Sequence, residues 1–228
     1  LVPIVLFVGV PALLVFKQPD LGTSLVYMAI LCGMLFVANI RMRLVSIIVG
    51  VLVVLAPLGW FVLKEYQKQR ILVFLNPNID PFGAGYHIIQ SKIAIGSGLI
   101  LGKGLFNGTQ SQLNFLPENH TDFIFSVIGE ELGFVGCVFV LILLFILIYR
   151  SIVIARTAGD TYGMLLATGI GSMIGFQVLI NVGMTTGIMP VTGIPLPFIS
   201  YGVSALTTNM ISIGLLLNIA LHRKKLMF

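Results

Sequence analysis

Charge is what this 228-residue chain has least of. Lys and Arg number 13 and Asp and Glu 8, together 9% of the residues, where soluble domains carry roughly a quarter. That scarcity excludes an ordinary soluble domain. Cysteine is nearly absent: Cys32 and Cys137 both fall inside apolar runs, which excludes a disulfide framework and leaves two small buried hydrophobes. Of the three histidines, none has a second at metal-ligand spacing, so no protein-built metal cage is expected. No Lys/Arg-rich run with interleaved aromatics appears outside the loop ends, which argues against nucleic-acid binding. The first apolar run has neither a basic start nor a small-residue cleavage site, so it does not read as a signal peptide.

What is present is apolar length. Hydrophobic residues make up 57% of the chain and the mean hydropathy is +1.07. The fold class expected is all-α, a polytopic transmembrane helical bundle forming a single membrane domain over 1–228. Six spans can be marked, at about 1–16, 21–38, 44–63, 123–149, 161–186 and 203–221. Seven basic residues (Arg41, Arg43, Arg150, Arg156, Arg223, Lys224, Lys225) fall in the short connections on one side, and only Lys17 on the other. The positive-inside rule therefore puts the C-terminus in the cytoplasm, and the loops at 17–20, 64–121 and 187–202 outside.

Those external loops carry nearly all of the turn-forming sequence. The long one is too apolar at ILVFL (71–75) and YHIIQSKIAIGSGLILGKGLF (86–106) to be a disordered linker. These stretches read as interfacial or re-entrant half-helices. GIMPVTGIPLPFISYG, at 187–202, has three prolines and no charge. It cannot be helix and is too apolar to project into water, so a segment folded in to line a cavity is expected.

Half of all the acids stand close together, Glu118, Asp122, Glu130 and Glu131, where a polar loop becomes a long apolar run. Acids beside hydrocarbon are expensive and read as functional. Thr121 reads as an N-cap and Asp122 as the first turn of the fourth span, where the helix dipole alone would also favour an acid. At 100° per residue Asp122, Ser126, Gly129, Gly133 and Gly136 share one face, a small-residue seam that lets a neighbour approach closely. Glu130 and Glu131 are expected to pair with a basic or backbone group inside the bundle. Gln177 and Asn181, four apart, are expected to bond across helices. Lys92 and Lys103, in apolar surroundings, either snorkel to lipid headgroups or bind an anionic one.

KQPDLGTS (17–24), GKGLFNGTQSQLNFLPENHTDFIFSVIGEELGFVG (102–136) and GIMPVTGIPLPFISYGVS (187–204) together resemble the shape, elongation, division and sporulation (SEDS) family, its RodA branch more than its FtsW branch. The resemblance covers nearly the whole chain and implies that about four N-terminal spans of the family's roughly ten precede Leu1. It implies a bacterial inner-membrane peptidoglycan glycosyltransferase that polymerises lipid II with a class B penicillin-binding protein of the elongation machinery. It places the essential aspartate at Asp122. Val203 stands where the family usually has a second glycine, and Asn114 where some division-type members have a glutamate.

The chemistry so implied needs a carboxylate base for the acceptor hydroxyl, the role of Asp122. The departing pyrophosphate needs help from Lys, Arg or a divalent cation such as Mg2+ or Mn2+. Lys92 and Lys103 are candidates for that, and Glu118, His120, Glu130 and Ser200 are further substrate-binding candidates. Two readings compete: a flippase for lipid-linked sugars, which would share intramembrane acids and a broken segment, and a division or sporulation paralogue of the same family.

Overall fold

The computed structural model describes residues 2–18, 20–38, 50, 65–81, 83–113 and 115–222. Among them every regular element is helical. In chain order these are α1 (Val2–Lys17), α2 (Leu21–Val37), α3 (Glu65–Leu75), a 3-10 turn (Pro77–Ile79), α4 (Ala84–Ser97), α5 (Thr109–Gln112), α6 (Ile124–Thr157), α7 (Thr161–Thr186) and α8 (Val203–Leu221). The expected third span, 44–63, lies outside the described residues. Three helices, α6, α7 and α8, are long and apolar enough to cross a membrane, and α2 is a shorter apolar helix of 17 residues. The fourth span runs on to Thr157 instead of stopping near 149.

Local chemistry sets the helix ends. Asp20 caps α2, its side chain accepting the Thr23 N–H at 2.9 Å, and Asp160 caps α7 by accepting from Gly163 N–H at 3.2 Å. Gly187 closes α7 in the left-handed conformation (φ 73°), its N–H turned back to the carbonyls of Gly183 and Met184, as C-terminal glycines do.

Helices α6 and α7 make the most extensive contact and α2 lies against α7. The core runs through Phe125, Cys137 and Leu144 of α6, Ala167, Ile170, Ile174 and Val178 of α7, Leu196 and Leu216. Small residues bring these helices together: Gly33 of α2 lies on Ser172, and a Cβ at Gly171 would stand 3.0 Å from the Cβ of Ser151. Large apolar side chains point the other way, as Phe139, Leu143 and Phe145 do from α6 and Ile211 and Leu217 from α8. Apolar outside and small or polar inside is the arrangement a lipid-facing bundle requires.

The expected apolar run at 86–106 is not one half-helix. Helix α4 stops at Ser97, because Leu99, Gly102, Gly104 and Phe106 all take positive φ (50°, 78°, 94° and 62°). The chain then lies along α6, which is interrupted at Gly133 (φ 66°, ψ −163°). Four backbone bonds join the two segments. Lys103 N–H donates to Glu130 C=O and Gly104 N–H to Glu131 C=O, both at 3.0 Å, while Phe134 N–H donates to Leu99 C=O at 2.9 Å and Val135 N–H to Ile100 C=O at 3.1 Å. The seam of small residues therefore receives α4 and this strap instead of a passing helix: Gly98 lies on the Gly129 carbonyl and Gly133 on Gly102 and Ile100.

Candidate active site

Asp122 does not sit in a first helical turn. Helix α6 begins at Ile124, and Phe123 occupies the cap position without a side-chain bond. The Thr121 hydroxyl is turned to Glu118, 3.1 Å from its carboxylate and 3.3 Å from its carbonyl. That same Glu118 carbonyl accepts the N–H groups of Thr121 and Phe123 at 3.2 Å, with Glu118 itself at φ 53°. A tight turn, instead of a capped helix, presents the aspartate.

The 187–202 loop fixes that turn from behind. Asn181 of α7 donates its amide to Asp122 C=O at 2.9 Å and Ile194 C=O at 2.8 Å. Ser200 donates to Thr121 C=O at 2.7 Å and accepts Leu196 N–H at 2.7 Å. Tyr201 N–H donates to His120 C=O at 2.8 Å. Leu196, Ile194 and Ser200 are buried, so the Gly/Pro loop folds inward as its composition requires. Gly193, at φ 77°, lies against the carboxylate, where a Cβ would stand 3.4 Å from Asp122 Oδ2. The KQPDLGTS turn backs this loop in turn, Gly22 lying on Ile194 and Thr192. Val203 opens α8 with its side chain exposed and no positive φ, so the missing second glycine is accommodated.

In front of Asp122 is a cavity of about 390 Å3 lined by Arg70, Val73, His87, Ile88, Glu118, Asp122, Phe123 and Val191. Its far walls come from α3 and α4. Asp80 accepts from Gln69 Nε2 at 2.8 Å and Gly83 N–H at 2.9 Å, folding α3 back towards α4 and bringing Arg70 and His87 to one place. The His87 ring stacks on Phe123 with centroids 5.9 Å apart and planes 10° from parallel. Burial first, and the nearby Glu118 charge second, push the Asp122 carboxyl above the usual aspartate value of 3.8, against the opposing pull of Arg70 and His87.

The other sequence candidates fall elsewhere. Glu130 is fully buried and held by Lys103 Nζ at 2.7 Å, Thr109 Oγ1 at 3.1 Å, Gln110 N–H at 2.9 Å and Ser111 N–H at 3.1 Å. Lys103 is thus the partner expected for Glu130, and neither residue lines the Asp122 cavity. Lys92 is exposed, its side chain lying over Gly187, and is also outside that cavity. His120 is exposed and lines a separate recess with Tyr201. Ser200 contributes backbone bonds. Sequence reasoning missed Arg70 and His87. Nothing in their local pattern marks them, because only the turn at Asp80 sets them facing Asp122. Among the described residues no three His, Cys, Asp or Glu side chains converge. Two carboxylates, Glu118 and Asp122, line the cavity, a set that suits Mg2+ shared with substrate phosphates.

Residues 1–225 match the family model of cell cycle proteins that joins FtsW, RodA and SpoVE. The chain is 49% identical over 217 residues to the peptidoglycan glycosyltransferase MrdB of Escherichia coli K12, covering 95% of this chain and 59% of that relative. It is 52% identical over 162 residues to the peptidoglycan glycosyltransferase RodA of Treponema pallidum, covering 71% of this chain and 37% of the relative. A solved structure from work on structural coordination of polymerization and crosslinking by a peptidoglycan synthase complex superposes with a TM-score of 0.78 at 34% identity, over 97% of this chain and 60% of that one. The crystal structure of a variant of the rod shape determining protein RodA from Thermus thermophilus gives 0.65 at 29% identity, over 98% and 57%. The chain thus spans about 60% of the length of the E. coli relative and of both structures. With its apolar spans, its helical fold and this match over nearly its whole length, the chain is a membrane protein and belongs to the FtsW/RodA/SpoVE (SEDS) family.

Proposed function

We propose that the protein to which this chain belongs polymerises lipid II into glycan strands, with Asp122 as general base. The observation that carries this is the Asp122 carboxyl itself, held by a backed turn in a cavity where burial raises its affinity for protons. In the reaction the acceptor sugar hydroxyl gives its proton to Asp122 as its oxygen bonds to the donor's anomeric carbon. The bond from that carbon to the diphosphate breaks, and its electrons leave with the polyprenyl diphosphate. Arg70 takes the charge-stabilising role because it lines the same cavity, whereas Lys103 and Lys92 do not. Glu118 and Asp122 would hold a divalent cation, Mg2+ or Mn2+, which would supply charge neutralisation for the departing diphosphate.

The reading extends to a class B penicillin-binding protein as partner within the elongation machinery, supported by the likeness to a peptidoglycan synthase complex and to MrdB. It places the protein in the bacterial inner membrane with the Asp122 cavity outside and the C-terminus in the cytoplasm, from the basic residues of the short loops. The test is the full-length protein supplied with labelled lipid II. Asp122→Asn keeps size and hydrogen bonding but not basicity, and general-base assistance contributes roughly 10²–10⁴-fold. Polymer synthesis is therefore expected to fall at least about a hundredfold in a folded variant that still binds its partner. Near-normal synthesis would remove Asp122 from the mechanism, and transfer of lipid II between leaflets without polymer would favour the flippase.

A further inference from the structure

Deepening that reading, on which the inference rests, we propose that His87 is a substrate-positioning residue of the Asp122 cavity, its imidazole hydrogen-bonding the diphosphate of the lipid-linked sugar.

A histidine kept for structure has its ring nitrogens paired, because a buried polar atom without a partner is costly. His87 departs from that rule. Its Nδ1 is buried and has no hydrogen-bond partner among the described residues. What holds the ring is packing: the parallel stack on Phe123 and an edge contact from Tyr86, centroids 6.4 Å apart at 78°. The ring is therefore held by packing on both sides while its Nδ1 keeps no partner among the described residues, a combination that suits a preorganised ligand contact.

Its position says which part of the substrate it meets. Phe123 directly follows Asp122 in the chain, so one aromatic ring sets the distance between the imidazole and the carboxylate. Glu118 and Asp122 make one wall acidic, the place for a hydroxyl about to lose its proton. Arg70 and His87, from α3 and α4, line the same cavity. An anionic group between the walls would meet its donors from Arg70 and His87, and in a lipid-linked sugar that group is the diphosphate next to the reacting carbon.

The experiment uses the full-length protein with lipid II as probe and compares His87→Phe, which keeps an aromatic ring to stack on Phe123 but has no nitrogen, with His87→Gln, which restores a donor. Initial rates across lipid II concentrations give KM and kcat separately. Lipid II binding is measured as well in an Asp122→Asn background, where turnover cannot interfere. The expected result for His87→Phe is a KM and a binding constant weakened by roughly tenfold or more, the size of one hydrogen bond to a charged group. Its melting temperature should not change, while His87→Gln recovers most of the lost binding. Unchanged KM and binding in His87→Phe overturn the inference while leaving Asp122 in place. Loss of folding in both variants also overturns it, by making His87 structural. An Asp122→Asn protein as active as the wild type instead brings down the underlying reading of the cavity.

Discussion

A carboxylic acid partly withdrawn from water and near a second carboxylate, as Asp122 is near Glu118, keeps its proton above the usual 3.8. Below that value folded and unfolded chains are both protonated there and the residue costs nothing. As pH rises the unfolded chain ionises first, so stability at this position is lost progressively and the full cost is present above the folded value. Asp122→Asn should therefore melt no lower than the wild type at neutral pH, with the difference shrinking towards acid, as thermal unfolding in detergent would read. A structural role would give the opposite sign. The same causes set the acid limb of kcat/KM, since the base must be ionised to act: Glu118→Gln should move the limb to lower pH and Arg70→Gln to higher pH, in a pH–rate series on lipid II. Asp122, the proposed base, drew notice in the sequence as an acid at the edge of an apolar run and through the family resemblance of its motif. Arg70 and His87 did not, since their meeting depends on hydrogen bonds around Asp80 that no periodicity announces.

Elements were legible where hydrophobic length decides them and illegible where backbone bonds cross between distant segments. Helices α2, α6, α7 and α8 lie where apolar runs put them. The division of 86–106 into α4 and a strap did not show, because the strap, with Leu99 at positive φ, is held by backbone bonds to α6 that no local pattern announces. That seam predicts strong effects at glycines far from the chemistry. Gly133→Ala would combine a left-handed backbone, itself costing about 1–3 kcal/mol, with a Cβ driven into the backbone of Gly102 and Ile100. It should lower the melting temperature clearly, whereas Gly96→Ala, with open space around it, should not. The Lys103–Glu130 pair makes a second test. Lys103→Met strands a fully buried carboxylate and should cost about 3–5 kcal/mol, and Lys103→Met with Glu130→Gln should recover much of that loss. A loss in the double variant equal to the sum of the losses in Lys103→Met and Glu130→Gln would mean that the pair is not coupled.

At the scale of the whole molecule the expectation is one working face. The 187–202 loop meets α3 and α4 at the Asp122 cavity, and Gly22 of the KQPDLGTS segment backs that loop, although these segments lie far apart in the chain. In a full-length protein with Cys32 and Cys137 replaced by Ala, a cysteine at Gln112 should react with a membrane-impermeant thiol reagent in intact cells, and one at Thr157 should not. Labelling at Thr157 and not at Gln112 would invert the orientation. Reading three distant loops as one face was open to sequence because together they hold nearly all of the turn-forming residues, and the two short ones hold only one basic residue, Lys17. How they dock was not, because the docking bonds go to backbone carbonyls such as those of Thr121 and Asp122, which every residue has. The strap along α6 bears, finally, on how the chain is made. Its residues 99–104 are translated before their partners at 130–135, so when α6 leaves the ribosome the peptide groups that receive its break have already been synthesised. A membrane helix with an internal interruption would otherwise enter lipid with bare amides. Here the order of synthesis lets the interruption close as the helix is inserted.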